Sequence, residues 1–389
     1  MCATDQNTII YLDNGATSFP KPPAVAERMY HYVCNVGATI NRSVYASAQS
    51  AGMVTYSLRE RLARFFHFDQ PNHVVLTAGN TMSLNMVLKG YLHSGDHCLV
   101  SSMEHNAVMR PLVQLQEQGV SFDRIPCNRE GLLDPNDIPA LLRPNTKLVV
   151  VAHGSNVGGG VQDIEAIGAI CASRGIPFVV DAAQTAGHYP IDFGKAQLSA
   201  LTVPGHKGLM GPSGIGALLL RPDFAQKLTP LITGGTGSAS DTEVQPDYMP
   251  DRFESGTSNL PGIYGFEAAM AFLEEVGIDA LRAHDQALTA RFMAGLQEIP
   301  GIRLVGPREL AHRVGVISVD FTQQDNAECS YLLETTYHIM TRCGMHCAPS
   351  AHKTLDTFPQ GVVRFSLGWY NTAEDVDAAL EAIRALAQS

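Results

Sequence analysis

Pro177-Phe-Val-Val-Asp-Ala-Ala-Gln184, followed after a short gap by Leu198-Ser-Ala-Leu-Thr-Val-Pro-Gly-His-Lys207, is the stretch that decides the fold. Each half is an apolar, β-branched run that ends abruptly in polar residues and glycine. Runs of this kind suit strands covered on both faces, as in a parallel sheet with helices on each side. The same pattern continues outward. It predicts strands at 73–77, 97–100, 147–152 and 215–220 beside 177–181 and 198–203, with helices at 81–92, 105–118 and 161–174 between them. Alternation of this type predicts a mainly parallel α/β sheet, whose ligands bind beyond the carboxyl ends of the strands. Thr77-Ala-Gly-Asn80, His153-Gly-Ser-Asn156, Asp181-Ala-Ala-Gln184 and Pro204-Gly-His-Lys207 all fall at such ends, so one cleft is expected to collect them.

After the Gly-rich segment Thr233–Ser238 and Phe253–Asn259 the pattern changes to two long helices, 261–276 and 279–298. Strands at 302–306, 314–321 and 362–367 follow, with helices at 326–339 and 373–387. The expected organisation is a large unit over 16–260 and a smaller α+β unit built from 1–15 and 261–389. With 389 residues and 45% hydrophobic content, the chain has material for a large core. A formal net charge of -11, without a sustained basic cluster, argues against nucleic acid or an anionic membrane as partner. No leader-like N-terminus or membrane-length apolar run is found, so a cytoplasmic protein is expected. The eight cysteines are scattered rather than framed in close pairs, which argues against a disulfide scaffold in a chain this long.

Of seven lysines, Lys207 alone follows an apolar strand inside a Gly-rich turn. A lysine there, with an acid and an amide after a neighbouring strand, provides what pyridoxal phosphate requires. The amine forms a Schiff base with the aldehyde, and the acid keeps the pyridine nitrogen protonated. Plainer readings stand beside this one: a surface lysine, and an N-cap with a capping box for Asp181 and Gln184. Gly79-Asn80-Thr81, between strand and helix, suits an anion but matches neither a Walker sequence nor a dinucleotide fingerprint. His105 would place an imidazole in the same cleft, to stack on a ring or move a proton, or it is structural. Arg364 is a charge inside the apolar run 362–367, suited to a substrate carboxylate or to an internal ion pair. Cys347, in Cys343-Gly-Met-His-Cys347, lies in a segment that reads as neither helix nor strand. With His346 and Arg342 nearby it is either an activated thiolate or an inert cysteine. Cys343, Cys347, His346 and His352 are poorly spaced for structural zinc, and no metal is expected.

Taken together, from Tyr11-Leu-Asp-Asn-Gly-Ala-Thr17 to Arg364-Phe-Ser-Leu-Gly-Trp-Tyr-Asn371, the chain resembles class V, fold type I pyridoxal-phosphate enzymes, most of all the group II cysteine desulfurases and selenocysteine lyases. The resemblance covers nearly the whole chain. It implies that Lys207 carries the cofactor, that Asp181 and Gln184 contact its pyridine nitrogen and phenolic oxygen, and that His105 stacks over its ring. Asn156 would lie beside the cofactor, while Asn80, Thr81 and His206 would serve its phosphate. Thr257, from Gly256-Thr257-Ser258-Asn259, would reach the phosphate across a homodimer interface. Ala16, Asn156 and Arg364 would meet the substrate. The motif Arg342-Cys-Gly-Met-His-Cys-Ala348 would make Cys347 the nucleophile that takes sulfur from L-cysteine as a persulfide, leaving L-alanine and passing sulfur to an acceptor protein. L-selenocysteine is the alternative substrate, and a C–S lyase or aminotransferase is the alternative activity.

One position departs from the family pattern. The phosphate-binding serine two residues before the His-Lys pair is Pro204, which offers neither hydroxyl nor backbone N–H. Either His206 and the Gly79-Asn80-Thr81 turn hold the phosphate without that serine, or another hydroxyl such as Thr202 or Ser238 takes part. Cys343 is a second thiol at a position not usually occupied by cysteine.

Overall fold

The structure is a computed structural model that describes residues 9–40 and 45–388. Cys2 and residues 1–8 of the expected smaller unit lie outside the described residues. The chain enters on a short strand, β1 (Ile10–Tyr11), then forms helices α1 (Pro23–His31) and α2 (Ala46–Phe65). The central sheet follows: β2 (Val74–Thr77), β3 (His97–Ser101), β4 (Ser121–Ile125), β5 (Thr146–Ala152), β6 (Phe178–Asp181), β7 (Ala200–Pro204) and β8 (Gly216–Leu220). Its order is β2-β8-β7-β6-β5-β3-β4. β8 runs antiparallel to both its neighbours, and the remaining pairs are parallel. The mainly parallel α/β sheet read from the apolar runs is therefore what forms.

Both faces of the sheet are buried, which explains its continuous Val/Leu runs. On one face Leu58 and Leu62 of α2 join Val149, Val151 and Val203. On the other, Val100, Val150 and Leu218 pack against α3 (Asn80–Tyr91) and α4 (Asn106–Gln116). Helix α5 (Ile164–Ser173) lies among the next connections. β4 escaped the sequence reading because Ser121-Phe-Asp-Arg-Ile125 is a half-buried edge strand whose polar residues break up the apolar run.

Helices α6 (Leu260–Val276) and α7 (Ile278–Gln297) meet at Gly277, whose φ of 81° permits the sharp turn. A second sheet follows, with β9 (Ile302–Val305) and β10 (Val316–Phe321) leading to α8 (Asn326–Thr335). The expected helix 326–339 stops early, and the chain passes through His338, with φ of 56°, into β11 (Ile339–Met340). Then come β12 (Arg342–Gly344) and β13 (Val362–Ser366), in the antiparallel order β12-β13-β10-β9, and the closing helix α9 (Ala373–Ala387). Part of the segment read as neither helix nor strand is thus an edge strand, with Cys343 opposite Val363. Backbone pairing overrides its weak local pattern.

β1 pairs with β11 in parallel, and Asp13 bridges to Ser366, which ties the beginning of the chain to the second sheet. From there residues 14–18 cross to the first sheet, where the Ser18 N–H donates to the His206 carbonyl at 3.0 Å. This crossing places the N-terminal segment between the two sheets.

Candidate active site

A cavity of about 580 Å³ opens at the carboxyl ends of β5, β6 and β7. Its walls include Asn80, Thr81, His105, Asn156, Asp181, Gln184, Pro204, His206 and Lys207, so residues named separately from sequence share one cleft. The parallel strands bring this about, because each ends on the same side of the sheet.

Asp181 ends β6 and is almost wholly buried. Its Oδ1 accepts from Asn80 Nδ2 at 2.8 Å and from the Ala183 N–H at 2.9 Å, which holds the carboxylate in one orientation. The Asn80 side chain is therefore committed to the acid, and its backbone, at the start of α3, remains for an anion. That helix begins at Gly79 with no side-chain cap and no acidic residue in its first turn, leaving free N–H groups at a positive dipole end. Gln184 Nε2 donates to the Gly15 carbonyl at 3.0 Å. A Cβ at Gly15 would sit 3.1 Å from Ser366 Oγ, so the absence of a side chain at Gly15 lets the N-terminal crossing pass close against β13.

Lys207 follows β7 in a turn held from behind. The His206 carbonyl accepts from Lys21 Nζ at 2.9 Å and Thr17 Oγ1 at 3.0 Å as well as from Ser18. Burial, reinforced by Arg364, lowers the Lys207 amine to about 8, so a substantial neutral fraction exists near neutral pH. Burial also lowers His206 to about 4, with help from Lys207 and Lys21. His206 Nδ1 is buried without a partner. His105 caps α4, its Nδ1 accepting from the Ala107 N–H at 3.0 Å. Burial lowers its pKa despite the opposing pull of Asp181, so it is a neutral imidazole with one nitrogen committed.

Sequence reasoning missed Glu104. Burial raises it to about 8, while its Oε1 accepts from Ser101 Oγ at 2.5 Å and from the Ala152 N–H at 2.8 Å. A protonated Glu104 leaves Asp181 as the uncompensated negative charge on this wall. Asp13 was missed too. It accepts from Arg364 Nη2 at 2.7 Å and from Arg342 Nε at 3.3 Å. The internal ion pair weighed for Arg364 therefore exists. Its Nη1 also donates to the Asn156 carbonyl at 3.2 Å, while its buried Nε has no partner among the described residues. Both contacts come from segments distant in sequence, which no local pattern signals.

Cys347 and Arg364 do not line the cavity; they stand behind its Asn156 wall. Asn156 Nδ2 donates to the His346 carbonyl at 2.7 Å, and the Asn106 N–H donates to the Cys347 carbonyl at 2.8 Å. These bonds fasten the loop to the residue beside His105 and to the cleft itself. Cys347 is exposed, whereas His346 is buried, and both have positive φ, 45° and 56° for His346 and Cys347 respectively. His346 cannot supply the activating cation considered from sequence. Burial, with Arg364 next, lowers it to about 2. Burial raises the Cys343 thiol, which keeps it protonated.

Thr257 is exposed and lines two neighbouring cavities rather than the one holding Lys207. The expected hydroxyl substitutes for Pro204 also lie elsewhere. Thr202 is fully buried, donating to the Val180 carbonyl at 3.4 Å. Ser238 bonds Asp251 and Thr236 in the Gly-rich loop. Ala16 is half-buried on the N-terminal crossing, its N–H donating to the Asp13 carbonyl at 3.0 Å.

An oriented acid, a lysine of lowered pKa, a stacking-capable imidazole and an uncapped helix start fit a flat heterocycle bearing an anionic group. The model of one family, described as Aminotransferase class-V, matches residues 10–379. The chain belongs to this family. Among relatives, a probable cysteine desulfurase of Pyrococcus abyssi is 34% identical, covering 98% of this chain and 95% of its own. A cysteine desulfurase of Cronobacter sakazakii is 30% identical over 95% of this chain and 91% of its own. The solved apo cysteine desulfurase of Thermococcus onnurineus superposes with a TM-score of 0.91 at 32% identity, over 98% of this chain and 95% of that one. For a class V chain, the fold type I sheet and the cleft at its strand ends agree with one another.

Proposed function

We propose that this chain is a pyridoxal-phosphate-dependent cysteine desulfurase in which Lys207 carries the cofactor and Cys347 receives the sulfur. The observation that carries the reading is the exposed Cys347 on a loop hydrogen-bonded through its neighbours to the Asn156 and His105 wall of the Lys207 cleft. An aminotransferase or C–S lyase on the same fold needs no thiol there. The desulfurases named among the relatives support the same activity.

When bound, pyridoxal phosphate supplies an aldehyde for an amine and a ring that draws electrons from the substrate. In this reading Asp181 would hold the proton of the ring nitrogen, Gln184 would serve the phenolic oxygen and His105 the ring. The α3 start with Thr81 and His206 would hold the phosphate, with Thr257 of a second copy completing the site. Arg364, with Ala16 and Asn156, receives the substrate carboxylate. Its unpartnered Nε and the charge sharing at Asp13 leave it able to take a further acceptor. Lys207, whose amine gives up its proton more readily than an ordinary lysine, and His105 move protons. The Cys347 thiolate attacks the substrate sulfur. L-cysteine and the enzyme thiol become L-alanine and an enzyme persulfide, with no outside oxidant.

The proposal includes a cytoplasmic homodimer and a sulfur-acceptor protein. It also divides the chain into 16–260 and 1–15 with 261–389. The pairing of β1 with β11 supports that division. Among the described residues no helix is long and apolar enough to cross a membrane. The decisive experiment measures alanine formed from L-cysteine by the parent and by Cys347→Ala. The variant should bind cofactor normally and lose roughly 10²-fold or more of its rate. An unchanged rate would sink the Cys347 assignment in favour of a C–S lyase. Running L-selenocysteine in parallel tests the alternative substrate.

A further inference from the structure

Pro204 removes a hydroxyl from the expected phosphate site, and the two substitutes suggested by sequence are engaged elsewhere. A third hydroxyl lies inside the cleft. Ser213 belongs to the turn Gly211-Pro-Ser-Gly-Ile215 between the Lys207 segment and β8, and it lines the same cavity as Gly79, Asn80, Thr81, Pro204 and His206. β8 places it there. Gly216 pairs with Thr77 of β2, and a Cβ at Gly216 would come within 3.0 Å of Gly79 Cα. The turn is thus packed against the uncapped start of α3.

Competing groups nearby are already committed. The Thr77 hydroxyl pairs with Ser83 Oγ at 2.8 Å, and the Asn80 amide is held by Asp181. His206, which lines the same cavity, has a buried Nδ1 without a partner among the described residues. We propose that Ser213 is a phosphate ligand of the cofactor, replacing the hydroxyl lost at Pro204. Thr81, His206 and the first N–H groups of α3 make up the rest of that anion site. The substitution at Pro204 is then a relocation of one donor between neighbouring segments, from the strand-end before Lys207 to the turn after it, since Pro204 pairs with Gly216 and the Gly205 N–H donates to the Ile215 carbonyl at 2.9 Å.

This inference rests on the pyridoxal-phosphate reading above, and one titration separates the two. Apoprotein is titrated with pyridoxal phosphate and, separately, with pyridoxal, which lacks the phosphate, following the visible absorbance of bound cofactor. Ser213→Ala should weaken pyridoxal phosphate about tenfold or more, the range expected for a hydrogen bond to a charged group, and leave pyridoxal unchanged. Ser213→Thr, which keeps the hydroxyl, should bind as the parent does. Pro204→Ser in the Ser213→Ala background should recover most of the loss. Equal affinity of Ser213→Ala and parent for pyridoxal phosphate overturns the assignment, as does an equal loss for both ligands. A parent that binds neither ligand overturns the cofactor reading itself.

Discussion

The Lys207 turn and the Cys347 loop carry the two side chains proposed to react, and they are built in opposite ways. Lys207 sits between two strands of the central sheet, with several donors from residues 17–21 gripping the carbonyl before it. Cys347 stands exposed after a three-residue edge strand, its backbone in the left-handed region at two successive non-glycine residues and fastened across the cleft by two hydrogen bonds. A group that must meet one atom of a bound cofactor gains from a rigid, dry mounting. A group that must visit the substrate and then an acceptor requires access. The contrast matches a division of labour between cofactor chemistry and sulfur delivery.

The largest effect is expected on the rigid side. Lys207→Ala should abolish the visible absorbance of lysine-bound cofactor and lower activity by at least about 10³-fold, as seen in the spectrum and in alanine production. A parent-like spectrum would break the contrast at its first term. Next comes the shared wall. Arg364→Lys keeps the charge but loses the planar fork, and should raise KM for L-cysteine about tenfold or more with a smaller change in kcat. A change in kcat alone would remove Arg364 from substrate binding.

A smaller effect appears in the stability of the apoprotein. Lys207 has a folded pKa of about 8 against an ordinary 10.5, so the folded state binds its proton less readily than the unfolded state. Its destabilising contribution is full below about pH 8 and fades as pH rises toward 10.5. Urea unfolding of Lys207→Met should therefore show a gain over the parent that shrinks between those limits. A constant difference would mean that the amine is not desolvated. The smallest effect is expected on the exposed side. Cys343 is partly buried and protonated, so Cys343→Ser should leave desulfuration within about twofold. A larger loss would give the loop a second working thiol.

The strands carrying Asp181 and Lys207 were legible because burial on both faces writes itself as uninterrupted apolar runs. The edge strands β4 and β12 were not, since half-exposed strands carry no such run. Asp181, Gln184 and Lys207 were readable from position alone, at the carboxyl ends of recognisable strands. Glu104 and Asp13 were not, because their importance comes from what faces them. Glu104 matters through its burial beside Asp181, and Asp13 through two arginines more than three hundred residues away.

Residue types and their periodicity were sufficient for the α/β class and for the cleft at the strand ends. Local sequence encodes burial and backbone preference, and these are short-range properties. Tertiary structure alone decided that Asn80 orients Asp181, that His346 is a buried neutral ring rather than an activating cation, and that Ser213 rather than Thr202 or Ser238 lines the Lys207 cleft. Each of these depends on desolvation and on distances between segments far apart in the chain, and both come into being only when the sheets pack.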